Sequence, residues 1–175
     1  MSFIIRPISV DELAALLPQL VSLLQQTVDG GASIGFLPPM GAAEAADYWQ
    51  NVREALAGPY RVMLVAEVGA QVVGTVQLDL AAKPNAPHRA EVIKLMVHPA
   101  GRRQGIGRAL MQAIEAQARA LGRTTLVLDT REGDPSEGLY QGLGYVRVGA
   151  IPQYVVSEDG GMSATVIYYK LLGYT

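Results

Sequence analysis

The chain contains no cysteine. That excludes a disulfide framework, a thiolate metal site and a cysteine nucleophile. It also makes a reducing cytoplasm the expected compartment. Only two histidines occur, His88 and His98, too few for a histidine-rich centre, so no metal is expected. A net charge of −2 gives no electrostatic case for nucleic acid. No apolar run approaches the length of a membrane span, so no membrane partner is expected. The opening residues MSFIIRPIS hold a short apolar patch without a signal-peptide pattern.

What is present suits a single domain, residues 1–175. Half of the residues are hydrophobic and the mean hydropathy is slightly positive. This composition supports a real core and argues against disorder.

The most informative stretch runs from residue 90 to 121. Ala90 to Val97 reads as a strand of mixed polar and apolar residues, ended by Pro99, which has no N–H to give a ladder. Arg102, Arg103, Gln104, Gly105, Ile106 and Gly107 follow. From Ile106 the apolar positions 106, 109, 110, 113, 114, 118 and 121 keep helical spacing with one buried face, and Gly122 stands where a C-terminal glycine belongs. The order is strand, glycine turn, helix. A helix N-terminus offers unpaired N–H groups and partial positive charge. The glycines admit a bulky anion, and Arg102, Arg103 and Arg108 surround the turn with cations. A phosphate or pyrophosphate is the natural ligand. The nucleotide P-loop is ruled out by the lack of Gly-Lys-Ser/Thr, and the dinucleotide fingerprint by Leu110 where its third glycine belongs. The glycines alone also fit an ordinary strand-to-helix turn.

The rest of the chain reads as follows. Phe3 to Pro7 is a short strand. Ser9 and Glu12 form a capping box for a helix to about Thr27, with a kink or break at Pro18. Residues 29–41 form a long glycine- and proline-rich loop, and residues 42–56 a second helix. Strands over 60–68 and 71–80 join at Gly69-Ala70. After the central unit come an apolar strand over 124–130, a short helix over 136–143, and two closing strands over 145–153 and 162–172. The strand–helix–strand unit implies a parallel pair. The element order β α α β β β α β α β β is α/β with a mixed, mostly antiparallel sheet.

Arg102-x-x-Gly105-x-Gly107, this element order, and Leu139-Tyr140-Gln141-Gly142-Leu143-Gly144-Tyr145 together resemble the GCN5-related N-acetyltransferase family. Longer stretches, including 27–36, 83–85, 89–97 and 128–130, resemble its tabtoxin-resistance branch. The resemblance implies the GNAT fold: six to seven strands, about four helices, and a parallel pair around the acyl-CoA site. It implies acetyl-CoA as co-substrate. The backbone of Leu95, Met96 and Val97 would meet the pantetheine arm, and Arg103, Gln104, Gly105, Ile106, Gly107 and Arg108, with Arg102, the pyrophosphate. Tyr140 would face the sulfur. The two acid–base carboxylates of that branch fall on Glu91 and Asp129, whose strands splay apart in the family to admit the thioester. One departure is Gly133, where many members carry asparagine.

The implied reaction is acetyl transfer to a primary amine of a small molecule: amino-acid-like, a toxin or an antibiotic. A peptide N-acetyltransferase or a non-catalytic acyl-CoA-binding module are the alternatives. The presence of both carboxylates favours catalysis, and the 29–41 loop favours a closed pocket over a peptide groove. Lys94 reads as a salt-bridge partner or an outward-facing residue, and His98 as structural. Tyr145, Tyr154, Tyr168 and Tyr169 read as sheet packing, some of them lining the acceptor pocket. A homodimer is considered through the apolar last strand, Val166 to Leu172, which equally suits an interior position.

Overall fold

A computed structural model describes residues 2–173. Its elements in chain order are β1 (Ile4–Pro7), α1 (Val10–Asp29), α2 (Ala42–Leu56), β2 (Arg61–Val68), β3 (Gln71–Leu80), β4 (Arg89–Val97), α3 (Ile106–Ala120), β5 (Thr125–Arg131), α4 (Ser136–Gln141), β6 (Val146–Val156) and β7 (Met162–Leu171). The order is the one read from the sequence.

Local chemistry explains the boundaries. The capping box of α1 is formed: the Glu12 N–H donates to Ser9 Oγ at 3.2 Å, and the Ser9 N–H to Glu12 Oε2 at 2.8 Å. Pro18 does not break this helix, which runs on for 20 residues. Losing one backbone bond at proline costs about 3 kcal/mol. Leu13, Leu20, Leu23 and Leu24, all fully buried on either side of it, each return about 1.5–3 kcal/mol.

The seven strands form one sheet in the order β1-β2-β3-β4-β5-β7-β6. Every neighbouring pair is antiparallel except β4 and β5. Side chains alternate between two faces. Leu64, Val76, Leu78, Ala90, Val92, Leu126, Leu128, Val166 and Tyr168 face α3 and the residues around α4, in one buried cluster. Met63, Val65 and Met96 meet α1 and α2, with Trp49 fully buried, in the other.

Two features bear on function. First, β4 and β5 pair only at Arg89↔Thr125, Ala90↔Leu126 and Glu91↔Val127. Beyond Glu91 the two strands share no ladder, so the sheet opens there. Second, β7 lies inside the sheet between β5 and β6. Val166 to Leu172 is therefore interior and has no free edge to offer a second copy; the edge strand on that side is β6.

Candidate active site

The opening between β4 and β5 leads into a cavity of about 520 Å³. Its position follows from the register. Asp79 on β3 stands opposite Glu91 on β4, and Glu91 opposite Val127 on β5. Asp129 lies two residues beyond Val127, on the same face. Three carboxylates on three adjacent strands thus converge on one side of the sheet, and all three line the cavity. From the other side, Tyr140 of α4 reaches it through the opening. Glu91, Asp129 and Tyr140, singled out in the sequence by resemblance, thus line one cavity.

The electrostatics differ among the three. The Glu91 carboxyl is pushed above the usual carboxylate range, chiefly by partial burial, then by Asp129 and Asp79. Asp129 Oδ2 accepts a hydrogen bond from Thr165 Oγ at 2.7 Å. Asp79 forms a salt bridge with Arg61 at 3.2 Å. Burial pushes the Tyr140 phenol well above its ordinary value, so it stays protonated.

Lys94 departs from the sequence reading. It pairs with no carboxylate and does not face outward. A bulge in β4 sets Lys94 and Leu95 opposite the single residue Val76, between the pairs Gln77↔Ile93 and Thr75↔Met96. Lys94 adopts φ +54° there, a left-handed conformation uncommon outside glycine. The bulge turns its side chain into the cavity wall. Nζ donates to the Ile34 carbonyl and lies 5.1 Å from the Phe36 ring centre and 5.8 Å from that of Tyr48. Gly35 carries φ +90°, and a Cβ there would sit 3.0 Å from Lys94 Nζ. Burial lowers the lysine's pKa from its usual value. Tyr48 belongs to a chain in which Arg61 donates to Gln77 at 2.8 Å and Gln77 to the tyrosine hydroxyl at 2.9 Å.

The glycine turn lies at the far end of β4. Pro99–Gly101 form a single 3-10 turn, capped by His98 Nδ1, which accepts from the Ala100 N–H at 3.2 Å. His98 is structural, as expected. Arg103 and Gly105 take φ +63° and +83°, and α3 then starts with no side chain capping its N–H groups. A Cβ built on Gly105 meets no atom within 4 Å. The backbone is thus open to a large anion, and the site fits a pyrophosphate. Ile106 and Met96 have buried side chains, so only their backbone groups are free to serve. Leu95 lines the cavity, and Val97 packs partly against the core. The side chains around the turn are partly engaged. Arg102 donates to the Val97 carbonyl at 3.3 Å, Gln104 to that of Ala100 at 2.9 Å, and Arg108 to that of Gly142 at 3.2 Å.

A sequence profile of the Acetyltransferase (GNAT) family matches residues 34–145, which span the loop, the bulge, the glycine turn and Tyr140. The chain belongs to the GNAT acetyltransferase family. An "uncharacterized N-acetyltransferase in hisH-hisA intergenic region" of Azospirillum brasilense is 31% identical over 118 residues, covering 66% of this chain and 68% of its own. N-acetyltransferase family 8 member 2 of Rattus norvegicus is 38% identical over 109 residues, 61% of this chain and 48% of its own, so the acetyltransferase spans about half of that relative. Among solved structures, an N-acetyltransferase from Staphylococcus aureus Mu50 superposes with a TM-score of 0.79 at 18% identity, covering 99% and 100% of the two chains. The yncA protein of Salmonella typhimurium, solved with its cofactor acetyl-CoA, gives 0.76 at 20%, covering 99% and 95%. At these identities the likeness is one of fold.

The sequence reading missed three parts of this acetyltransferase's cavity: Asp79, Lys94 and Arg131. Asp79 becomes visible only once the β3–β4 register is known. Lys94 carried a signal, a lone cation in mid-strand. Tyr154 lines the cavity while Tyr145 and Tyr168 are core, as the mixed reading of the tyrosines allowed. Among the described residues no cluster of His, Cys, Asp or Glu suits a metal ion, and no helix is long and apolar enough to cross a membrane.

Proposed function

We propose that this acetyltransferase moves the acetyl group of acetyl-CoA to a primary amine of a small molecule. The observation that carries this reading is the opening between β4 and β5, with Glu91, Asp129 and Tyr140 around it and the uncapped start of α3 beyond. The N–H groups at Gly105, Ile106, Gly107 and Arg108 hold the pyrophosphate, with Arg102, Arg103 and Gln104 around it. The backbone of Leu95 to Val97, on the side where β5 no longer pairs, meets the pantetheine arm. Glu91, raised in pKa, takes a proton from the bound ammonium, and Asp129 holds that nitrogen in place. The neutral amine attacks the thioester carbonyl, the tetrahedral intermediate collapses, the thiolate leaves, and the surplus proton on nitrogen passes to that thiolate to give the amide and free CoA thiol. Tyr140, held neutral by burial, donates a hydrogen bond to the departing sulfur. An ordinary thiol of pKa about 8.5 needs little more than that.

Residues 32–35 of the long loop close one side of the cavity. That closure supports a compact acceptor over an extended peptide. The same loop carries the likeness to the tabtoxin-resistance branch, and with it the place of the acceptor among amino-acid-like molecules, toxins and antibiotics. A cytoplasmic location fits acetyl-CoA as donor. The test is thiol release from acetyl-CoA against pooled small amines and peptides, with calorimetry of CoA binding. Turnover with small amines is expected. CoA binding without turnover on any amine would leave a binding module, and turnover on peptides alone would overturn the small-molecule acceptor.

A further inference from the structure

Two cations line the cavity, Lys94 and Arg131, against four carboxylates, Asp79, Glu91, Asp129 and Asp134. Both cations are already engaged, and by the same segment. Lys94 Nζ donates to the Ile34 carbonyl and rests against two aromatic rings. Arg131 donates to the Gly31 carbonyl at 3.3 Å. They act as two clasps on residues 31–34. Of the carboxylates, Asp79 is held by Arg61 and Asp134 accepts the Ser136 N–H at 2.8 Å. Glu91 and Asp129 take part in no salt bridge, although Lys94 feels the charge of Asp129, and Glu91 those of Arg89 and Arg61. An acceptor entering the cavity therefore meets more carboxylates than cations around its reacting nitrogen, and both cations are turned to carbonyls of the loop.

Resting on the acetyl-transfer reading above but departing from its amino-acid-like acceptor, we propose that the acceptor is an aliphatic di- or polyamine, whose remaining charges are positive. An acceptor carboxylate would lie beside Glu91 and Asp129 and could pair only by drawing Lys94 or Arg131 away from the loop carbonyls they hold. Like charges brought together in a confined site are strongly disfavoured, whereas a second ammonium is drawn in by the same field. The two-carboxylate arrangement agrees with this class. An aliphatic amine of pKa about 10.4 is almost wholly protonated at neutral pH and needs a base, whereas an α-amine of about 7.8 needs one far less.

The experiment uses pairs that differ by one carboxylate: cadaverine against L-lysine, and putrescine against L-ornithine, each with acetyl-CoA and the wild-type protein. The expected result is a kcat/KM for the diamine higher by about tenfold or more. Equal rates, or preference for the amino acid, overturn the proposal. Where neither amine releases thiol, calorimetry of the same pairs on CoA-saturated protein decides. Tighter binding of the diamine supports the acceptor class even as acetyl transfer fails, and no binding of the diamine overturns it. Lys94→Met and Arg131→Gln, each checked by thermal melting, separate clasp from ligand. If the cations only hold the loop, both members of a pair lose activity together, and the preference for the diamine is kept or raised by the lost positive charge. A loss confined to the amino acid would show a carboxylate ligand and overturn the proposal.

Discussion

Replacing Glu91 with Gln tests the proposed base through the pH dependence of the loss. Partial burial, Asp129 and Asp79 all raise the Glu91 carboxyl, so its ionised form is a stronger base than a free carboxylate. The wild-type kcat/KM should fall on the acid side, with a limb above the ordinary value of about 4.3, and be flat above it. Without the base, the variant depends on amine that is already neutral. For an acceptor of pKa about 10.4, that is roughly one molecule in 2,500 at pH 7 and one in 25 at pH 9. The deficit should therefore be about 10³ at pH 7, within the usual range for a general base, and shrink about tenfold per pH unit. The assay is thiol release over pH 6–10 for both proteins. The variant should not melt below the wild type at pH 7. A raised folded-state pKa means that the ionised carboxylate costs stability, which is lost as pH rises through that pKa, and the amide removes the cost. A deficit constant across the range would make Glu91 a positioning group, and no deficit at all would remove it from the mechanism.

Three further outcomes follow from the same geometry. Asp129→Asn should move the acid limb of kcat/KM to lower pH, because one of the charges raising Glu91 is gone; a limb that stays in place would mean the two carboxylates do not interact. Tyr140→Phe should lower kcat by about twofold to tenfold, the worth of one hydrogen bond of about 0.5–1.5 kcal/mol, with acetyl-CoA affinity unchanged, and full kcat at every pH would leave Tyr140 a packing residue. Gly105→Val places a branched side chain at φ +83° where no neighbouring atom obstructs it, so the backbone bears about 1–3 kcal/mol and the melting temperature falls by about 2–4 °C per kcal/mol; CoA affinity should fall by more than tenfold, and calorimetry showing it unchanged in the folded variant would move the pyrophosphate elsewhere.

The fold was legible because its signals are local. Ser9 and Glu12 mark a helix start through two hydrogen bonds within four residues, and Gly69-Ala70 marks a hairpin through its turn. Glu91, Asp129 and Tyr140 were reached by resemblance to a family whose strands carry such groups, and the register then set them around one cavity. Other features were hidden because they depend on distant partners. Pro18 reads as a break in isolation, and only burial against the sheet keeps α1 whole. The last strand reads equally as edge or interior, and its insertion between β5 and β6 is decided by long-range pairing. The Asp79–Arg61 pair depends on a register that no single segment encodes.

Lys94 shows how one irregularity links these levels. The bulge in β4 interrupts the alternation that would otherwise carry residues 93 to 96 along the ladder to β3. A positive φ at a non-glycine residue is unfavourable by roughly 1–3 kcal/mol, and here it coincides with a hydrogen bond and two ring contacts that only the turned side chain reaches. The same bulge sits where β4 has parted from β5, so the backbone it re-aims is backbone that no neighbouring strand on that side engages. Loop closure and access to the thioester then share one cause. A bulge that turns Lys94 toward Ile34 also sets Leu95 at the cavity wall. Loss of the lysine side chain should loosen residues 31–37 while β4 keeps its path, because the β3 pairs on both sides of the bulge stay intact. Amide exchange that quickens in that loop alone would bear this out, and exchange that quickens along β4 as well would show that the side chain holds the bulge rather than the reverse.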